Sequence, residues 1–396
     1  MGAGAMLKHL FKLIWKKKKT NALMMFEIFF SFLILFAVWS LGVYNYRNYR
    51  LPSGIETDNV WVAFINFQAQ SDTVKAQYKD LVRQQLRNYR EVKEFAFTAS
   101  NAPFTFSSTN NQFHYKQQKT MSEVMGVEPN FPKAMNLQVA EGRWFNDADK
   151  AGKFRPIVIT RHLAEELFGN ESAIGKVLSN NEEMGNTDQK MKVVGVVEYF
   201  RHKDDFQAPS NCVFVPSDKW DDTMVLKVQE GSGAELEAKI AKDLARLGKD
   251  WSVEIQQMNN MKTNRNNLVM VPILLLLIVC SFLIFNVALG LFGVLFQTIN
   301  RRRQEIGVRR AMGATKGAIL WHFIGETAVI ATFGLILGLF FAVQFPLLNV
   351  FDVDASVYIT AIILAVISIY ILVTICAFYP SRQASVLQPA VVLHEE

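Results

Sequence analysis

The sequence predicts a membrane protein with four transmembrane α-helices and a large α+β extracytoplasmic domain between helices one and two. Three observations carry this reading. Four apolar stretches are each long enough to cross a hydrocarbon core of roughly 30 Å as a helix. Basic residues crowd two of the intervening segments. The long segment 47–266 alternates between strand-like and helix-like patterns instead of staying apolar. The composition agrees: in 396 residues, 50% apolar and only 20% charged, there is too much apolar surface for a disordered chain.

The first span, residues 23–46, contains one charge, Glu27. The second is placed at 267–299, the third at 319–346 and the fourth at 357–378, around the charge-free runs 268–296, 327–351 and 357–378. The first apolar run exceeds the 7–15 residues of a signal-peptide core and no small-residue cleavage pattern follows, so a retained anchor is expected. Cys212, Cys280 and Cys376 are too far apart for a disulfide scaffold, a Cys-rich zinc site or a paired redox motif.

Orientation follows from the bases, because Lys and Arg beside a span stay in the cytoplasm while long domains cross largely regardless of charge. Residues 1–22 form a basic segment with six Lys, and the loop from Gln297 to His322 has six bases against one acid. Both are expected in the cytoplasm, near anionic lipid. Residues 47–266 hold 29 bases and 29 acids, a balance that fits a translocated domain and gives no reason to invoke nucleic acid.

Within that domain, two strand–helix–strand units stand at the ends. Residues 59–67 alternate as a strand, 74–89 follow as a helix with Leu81, Val82 and Leu86 on one face, and 93–98 form the next strand. Residues 223–228, 234–247 and 251–255 repeat the arrangement, with Leu236, Ile240 and Leu244 at four-residue spacing. They read as halves of one membrane-proximal subdomain, 47–99 and 216–266. Between them, residues 100–215 form an inserted subdomain with strands at 156–160, 190–199 and 212–215, a helix at 162–168 and a polar loop at 178–189. By position, the insertion is the part expected to meet other molecules.

Enzymatic signatures are absent. Gly169 to Lys176 imitates a phosphate loop, but five residues separate the glycines where four are required, and Val177 stands where a Mg²⁺-binding hydroxyl belongs. Gly169 and Gly175 are expected to end a helix and shape a turn. His202 with Asp204 and Asp205 reads as a solvated polar turn, since no HExxH or His-x-His spacing supports a metal. No Gly-x-Ser-x-Gly or Ser-x-x-Lys constellation occurs. The chain is not expected to be an enzyme on its own, to bind a metal or to hold a cofactor.

The informative segment is Gln304 to Ile319, QEIGVRRAMGATKGAI, between the second and third spans. It is too charged for hydrocarbon and too helix-prone for a plain loop, so a short interfacial helix is expected within 300–318. Glu305 precedes Arg309 by four residues, the favourable order for an ion pair. Arg309 and Arg310 fall near the helix C-terminus, where the helix dipole favours cations. Gly313 can end the helix in a left-handed conformation and Thr315 can cap the next one.

The run EIGVRRAMGAT closely resembles the signature of MacB/FtsX-like ABC-transporter permeases. Further matches follow the family's order: Glu141-Gly-Arg-Trp-Phe145, Ile157 to Gly169, Ile174-Gly175 and Val193 to Val196 resemble its periplasmic core domain. Gly325-Glu326 resembles the start of its third span, and Tyr379-Pro380 through Leu387-Gln-Pro389 its C-terminal tail, 379–396. The tail departs from the pattern at Gln383, Val386 and Val391.

The resemblance implies a permease subunit in the bacterial inner membrane, with both termini cytoplasmic, residues 47–266 periplasmic and a short periplasmic loop at 347–356. It implies a pair of ABC ATPase subunits, which would carry ATP and Mg²⁺, and a second permease chain. A periplasmic adaptor or cargo is also expected. Contacts to the ATPase would fall on Glu305, Ile306, Gly307, Arg309, Arg310, Ala311, Gly313 and Ala314, with Glu27, Glu326, Arg382 and Pro389 as secondary positions. The implied mechanism is mechanotransmission, in which closure of the ATPases moves this segment and the helices relay the movement outward. The cargo would be a peptide, antibiotic, toxin or lipoprotein. Two alternatives share the architecture: an FtsX-like transducer activating a cell-wall hydrolase, and a LolC/LolE-like lipoprotein-release permease.

Overall fold

A computed structural model of the chain describes residues 18–67, 71–180, 190–217, 222–248 and 251–385. It divides into two compact units, Asn48–Met270 and a second made of Met1–Arg47 with Val271–Glu396.

In the external unit, β1 (Val60–Asn66), α2 (Asp72–Arg87) and β2 (Val92–Thr98) form one strand–helix–strand unit, and β10 (Thr223–Val228), α5 (Ala234–Ala245) and β11 (Ser252–Gln257) the other. They interleave in one antiparallel sheet, ordered β11-β1-β10-β2, the split βαβ arrangement. The near-continuous apolar run of β1 reflects burial on both faces. Trp61, Ala63 and Ile65 pack with α2 and α5 through Val82, Leu86, Ile240 and Leu244. Val60 and Val62 face a second cluster with Phe131, Met135, Phe200 and Phe214.

Ser71 caps α2 by accepting the Val74 N–H. The expected helix face needs one correction, because Leu81 is exposed while Val82 and Leu86 are fully buried. Adjacent helical positions lie about 100° apart, so the i, i+4 pair takes the core and its neighbour turns outward.

The inserted part contains β3 (Asn110–Tyr115), β4 (Gln118–Val127), α3 (Phe131–Met135), β5 (Val139–Gly142), β6 (Arg155–Thr160), α4 (Arg161–Phe168), β7 (Val177–Asn180), β8 (Met191–Val197) and β9 (Cys212–Pro216). Its strands pair β4-β3-β7-β8-β6-β9, and β9 then pairs with β4 in parallel, which closes a ring. Side chains from every strand of the ring meet the apolar face of α4. Phe113, Ile157, Leu178, Val193 and Val213 join Leu163 and Leu167 there, with Val124 beside them. Most of the expected polar loop, residues 181–189, lies outside the described residues.

Among the described residues four helices are long and apolar enough to cross a membrane, and they make up most of the second unit. They are α1 (Lys18–Arg50), α6 (Met258–Arg301), α8 (Lys316–Ala342) and α10 (Ala355–Ser385), with the short α7 (Arg303–Ala311) between α6 and α8 and α9 (Gln344–Leu347) after α8. All four helices extend beyond their apolar runs at one end or both. Helix α6 begins at Met258, in a mostly polar stretch whose Met258 and Met261 are buried in the core of the external unit, and α10 continues through Pro380. Hydroxyls inside the spans donate to carbonyls one turn back, as Thr327 does to Phe323 at 2.8 Å and Thr374 to Tyr370 at 2.7 Å. This satisfies them without water.

Gly334 and Gly338 of α8 give α1 a thin surface to pack on. A Cβ at Gly338 would lie 2.3 Å from the Phe32 ring, and one at Gly334 would lie 3.0 Å from Ile28. These small residues therefore serve packing within the chain.

Candidate functional site

The segment between α6 and α8 forms a fastened elbow. Helix α6 ends at Arg301, and α7 starts after Arg302 leaves helical geometry (φ −105°, ψ 14°). On α7, Glu305 accepts a hydrogen bond from Arg309 at 2.6 Å, the expected i, i+4 pair. It is half exposed and contributes little stability by itself. The inner face holds more firmly. Ile306 and Gly307 are buried, and Ile306 packs with Ile299, Ile319, Phe323 and Ala384, with Ala314 alongside. Three elements thus converge on one turn of α7.

The turn that follows is defined by hydrogen bonds. Met312 N–H donates to Val308 O at 3.0 Å, Gly313 N–H to Arg310 O at 3.1 Å and Ala314 N–H to Arg309 O at 3.0 Å. Gly313 has φ +96°, a region that L side chains rarely enter. The Arg310 guanidinium closes the turn by donating to Ala314 O at 3.0 Å. Thr315 Oγ1 accepts the Ala318 N–H at 3.2 Å and starts α8. The outer face is left open: Glu305, Val308, Ala311, Met312 and Gly313 are exposed, with Met312 at 76%. A held backbone with an open, partly apolar face suits docking of another protein.

In the sequence Arg302 reads only as part of an Arg triplet. In the structure it donates twice to Glu326 of α8, at 2.9 and 2.7 Å, and both side chains are only 16% exposed. This charge-assisted pair, in which one guanidinium nitrogen bonds both carboxylate oxygens, ties the base of α6 to α8 across α7, beside a cavity of about 330 Å³ that Thr298 and Phe323 help to line. The sequence did hold a signal: an acid in an apolar span needs a cation, and Arg302 is the nearest cluster's middle member.

Glu27 lies on α1 against α6, where a Cβ at Gly290 would come within 2.0 Å of its carboxylate. Arg382 is exposed near the end of α10. Pro389 lies outside the described residues.

The external motifs have structural roles. Arg143 of the Glu141–Phe145 run grips Asp149 with two hydrogen bonds, at 2.7 and 2.6 Å, and holds its carboxyl below the usual carboxylate range. Trp144 packs on Phe145 and Phe214. The phosphate-loop imitation is a helix end: Gly169 N–H donates to Glu165 O at 2.8 Å, and Lys176 pairs with Glu171.

One expectation is overturned. Residues 202–205 are no solvated turn, because His202, Asp204 and Asp205 are 1%, 4% and 7% exposed. Among the described residues no group of three or more His, Cys, Asp or Glu is placed to hold a metal. Burial pushes the His202 imidazole below its ordinary value, against the opposing charge of Glu123, while Lys203 and Arg265 push in the same direction as burial.

The fold therefore holds His202 neutral, whereas an unfolded chain protonates it below about pH 6.5. Its contribution is present above that pH and is lost as the pH falls below it. The full chain in detergent should show a Tm that drops between pH 7 and pH 5. In His202→Gln, which keeps a donor for Asn101 O, that drop should shrink by about 2–4 °C per kcal/mol of linkage removed. Equal drops in both proteins would contradict a buried neutral imidazole.

Comparison with known proteins matches this geometry to a family. Residues 30–244 match the MacB-like periplasmic core domain, and residues 271–389 the FtsX-like permease C-terminal region. The chain belongs to the MacB/FtsX-like ABC permease family. The match to the permease C-terminal region contains the whole elbow.

Similar members include the "Uncharacterized ABC transporter permease YknZ" of Bacillus subtilis strain 168, 24% identical over 59% of each chain. The macrolide export ATP-binding/permease protein MacB of Bdellovibrio bacteriovorus is 23% identical over 73% of this chain and 46% of its own. The pyoverdine export ATP-binding/permease protein PvdT of Pseudomonas syringae pv. tomato is 24% identical over 69% and 43%. The chain thus spans about half the length of these relatives. Among solved structures, the periplasmic region of MacB from Actinobacillus actinomycetemcomitans matches with a TM-score of 0.37 and 13% identity, over 53% of this chain and 94% of that one.

Proposed function

We propose that this permease-family chain is the membrane subunit of an ATP-driven complex that exports or extracts cargo outside the membrane, worked by separate ATPase subunits docked on α7. The observation that carries the reading is the elbow. Its inner face is fixed by Ile306 and by the Arg302–Glu326 pair, and its outer face, with Val308 and Met312, is exposed. A push on that face would move α6 and α8 together.

ATP and Mg²⁺ belong on the ATPase, and this chain supplies the lever. Two permease chains would pair in the bacterial inner membrane, termini inward and residues 47–266 outward. The long exposed apolar face of α6, with Leu274, Ile278, Phe282 and Phe285, is free for lipid or that second chain. Relatives named for macrolide and pyoverdine export support an export role, with cargo among peptides, antibiotics, toxins or lipoproteins.

The test uses Met312→Cys in the full chain. A cysteine-reactive cross-linker applied to native membranes should yield one dominant adduct, identified by mass spectrometry as an ABC ATPase. A cross-link pattern without any nucleotide-hydrolysing protein would overturn the docking role. Recovery of a cell-wall hydrolase on the external unit would favour the transducer alternative.

A further inference from the structure

Residues 201–207 join the roots of two spanning helices to the ring of the external unit. Helix α1 ends at Arg50, and its last carbonyls lack intrahelical donors and mark the negative end of the helix dipole. Arg201, 1% exposed, caps them: one nitrogen of its guanidinium donates to Asn48 O and to Leu51 O, the latter at 3.0 Å. The other donates to Gln207 O at 3.1 Å and Asp204 O at 3.3 Å. Asn48 answers by donating its amide to Phe206 O at 2.9 Å, and Tyr49 stacks on the Phe206 ring.

The same loop grips α6. Asp205 N–H donates to Asn266 Oδ1 at 3.0 Å, and its carboxylate accepts from Asn266 Nδ2 at 2.9 Å and pairs with Lys262 at 3.0 Å. Asp204 holds the turn by accepting the N–H groups of Phe206 and Gln207. The loop's other side leads into the ring. His202 Nε2 bonds to Asn101 O at 2.8 Å, and the Asn101 amide donates to Glu123 and to Val124 O on β4, at 2.6 and 2.9 Å. A continuous polar chain therefore runs from the roots of α1 and α6, through residues 201–207, to β4.

A buried guanidinium that spends its donors on main-chain carbonyls is a poor way to gain stability, since an apolar filling would serve as well or better. It is a good way to fix direction, because each bond specifies one atom of one element. We propose that residues 201–207 are the joint through which movement of the α1 and α6 roots reaches the ring, with Arg201 and Asp205 as its positioning residues. The proposal rests on the mechanical reading above and names where the movement is handed on.

The test is hydrogen–deuterium exchange on the full permease, assembled with its ATPase in lipid nanodiscs, with and without ATP plus vanadate. In the wild type, nucleotide should change exchange both at the α6 root (258–270) and in β4 (118–127). In Asp205→Asn and in the milder Asn266→Ala, the α6 root should still respond and ATP hydrolysis should continue, while the β4 response is lost. The charge-swapped pair Asp205→Lys with Lys262→Asp should recover part of it. A β4 response that persists in both single variants overturns the joint alone. A wild-type α6 root that ignores nucleotide overturns the mechanical reading and the joint with it.

Discussion

Gly313→Val should leave the chain folded and inserted in the membrane while abolishing ATPase recovery or its coupled turnover. The space around this residue is open, with no atom within 4 Å of where a Cβ would stand, so crowding is not the obstacle. The obstacle is the backbone, at φ +96°. An L residue pays roughly 1–2 kcal/mol to enter the left-handed region, and a β-branched one pays more because its χ1 freedom is also restricted.

The chain would relieve that strain by re-aiming the turn, since the hydrogen bonds from Gly313 and Ala314 to Arg310 and Arg309 are weaker than the packing of Ile306 behind them. The outer face of α7 would then point elsewhere. Gly313→Asn is the control, because Asn tolerates left-handed geometry and should keep part of the activity. The measurement is ATPase co-purification together with ATP turnover in proteoliposomes. Unchanged binding and turnover in the valine variant would remove the elbow from the mechanism.

Gly338→Leu should give the largest loss of stability in the membrane unit. The Cβ alone would come within 2.3 Å of the Phe32 ring, and Phe32 is fully buried beside Ile28, Leu335 and Phe36. Overpacking of this kind costs about 1–3 kcal/mol, and the remaining side-chain carbons raise the demand further. Gly317→Ala, on the same helix with open space around it, should be neutral or stabilising by up to about 1 kcal/mol. Thermal unfolding of the detergent-solubilised chain should separate the two substitutions. A Gly338→Leu protein as stable as the wild type would mean that α1 and α8 do not pack on this face.

How much of this could be read beforehand depended on whether the signal was local. The four spans were legible because hydrocarbon tolerates few charges, and the Glu305–Arg309 pair, the Gly313 turn and the Thr315 cap because each is set by residues within four positions. The hairpin β3–β4 was not. Its strands, such as NNQFHY, are polar with weak alternation, and they are held by pairing to β7 and β9 from far along the chain.

The root of α6 carries only Met258 and Met261 as an apolar signal, and it is held by their burial in the core and by Asp205, which meets Lys262 and Asn266. The burial of residues 202–205 is likewise set by distant segments. Composition says turn, and burial is imposed by Asn101, Glu123 and α6, none of which is near in sequence. Arg302 and Arg201 share this limit, since each finds its partners only when distant segments meet.

The closed ring in the external unit limits how another chain can be held there. An open sheet invites an extended peptide to lie along its last strand and borrow the main-chain donors and acceptors. In the ring every strand has a paired neighbour on both sides, among the described residues, so none presents a whole free edge. Any cargo or adaptor recruited to it must be recognised through protruding side chains and connecting loops, so selectivity can be retuned by surface substitution without disturbing the scaffold.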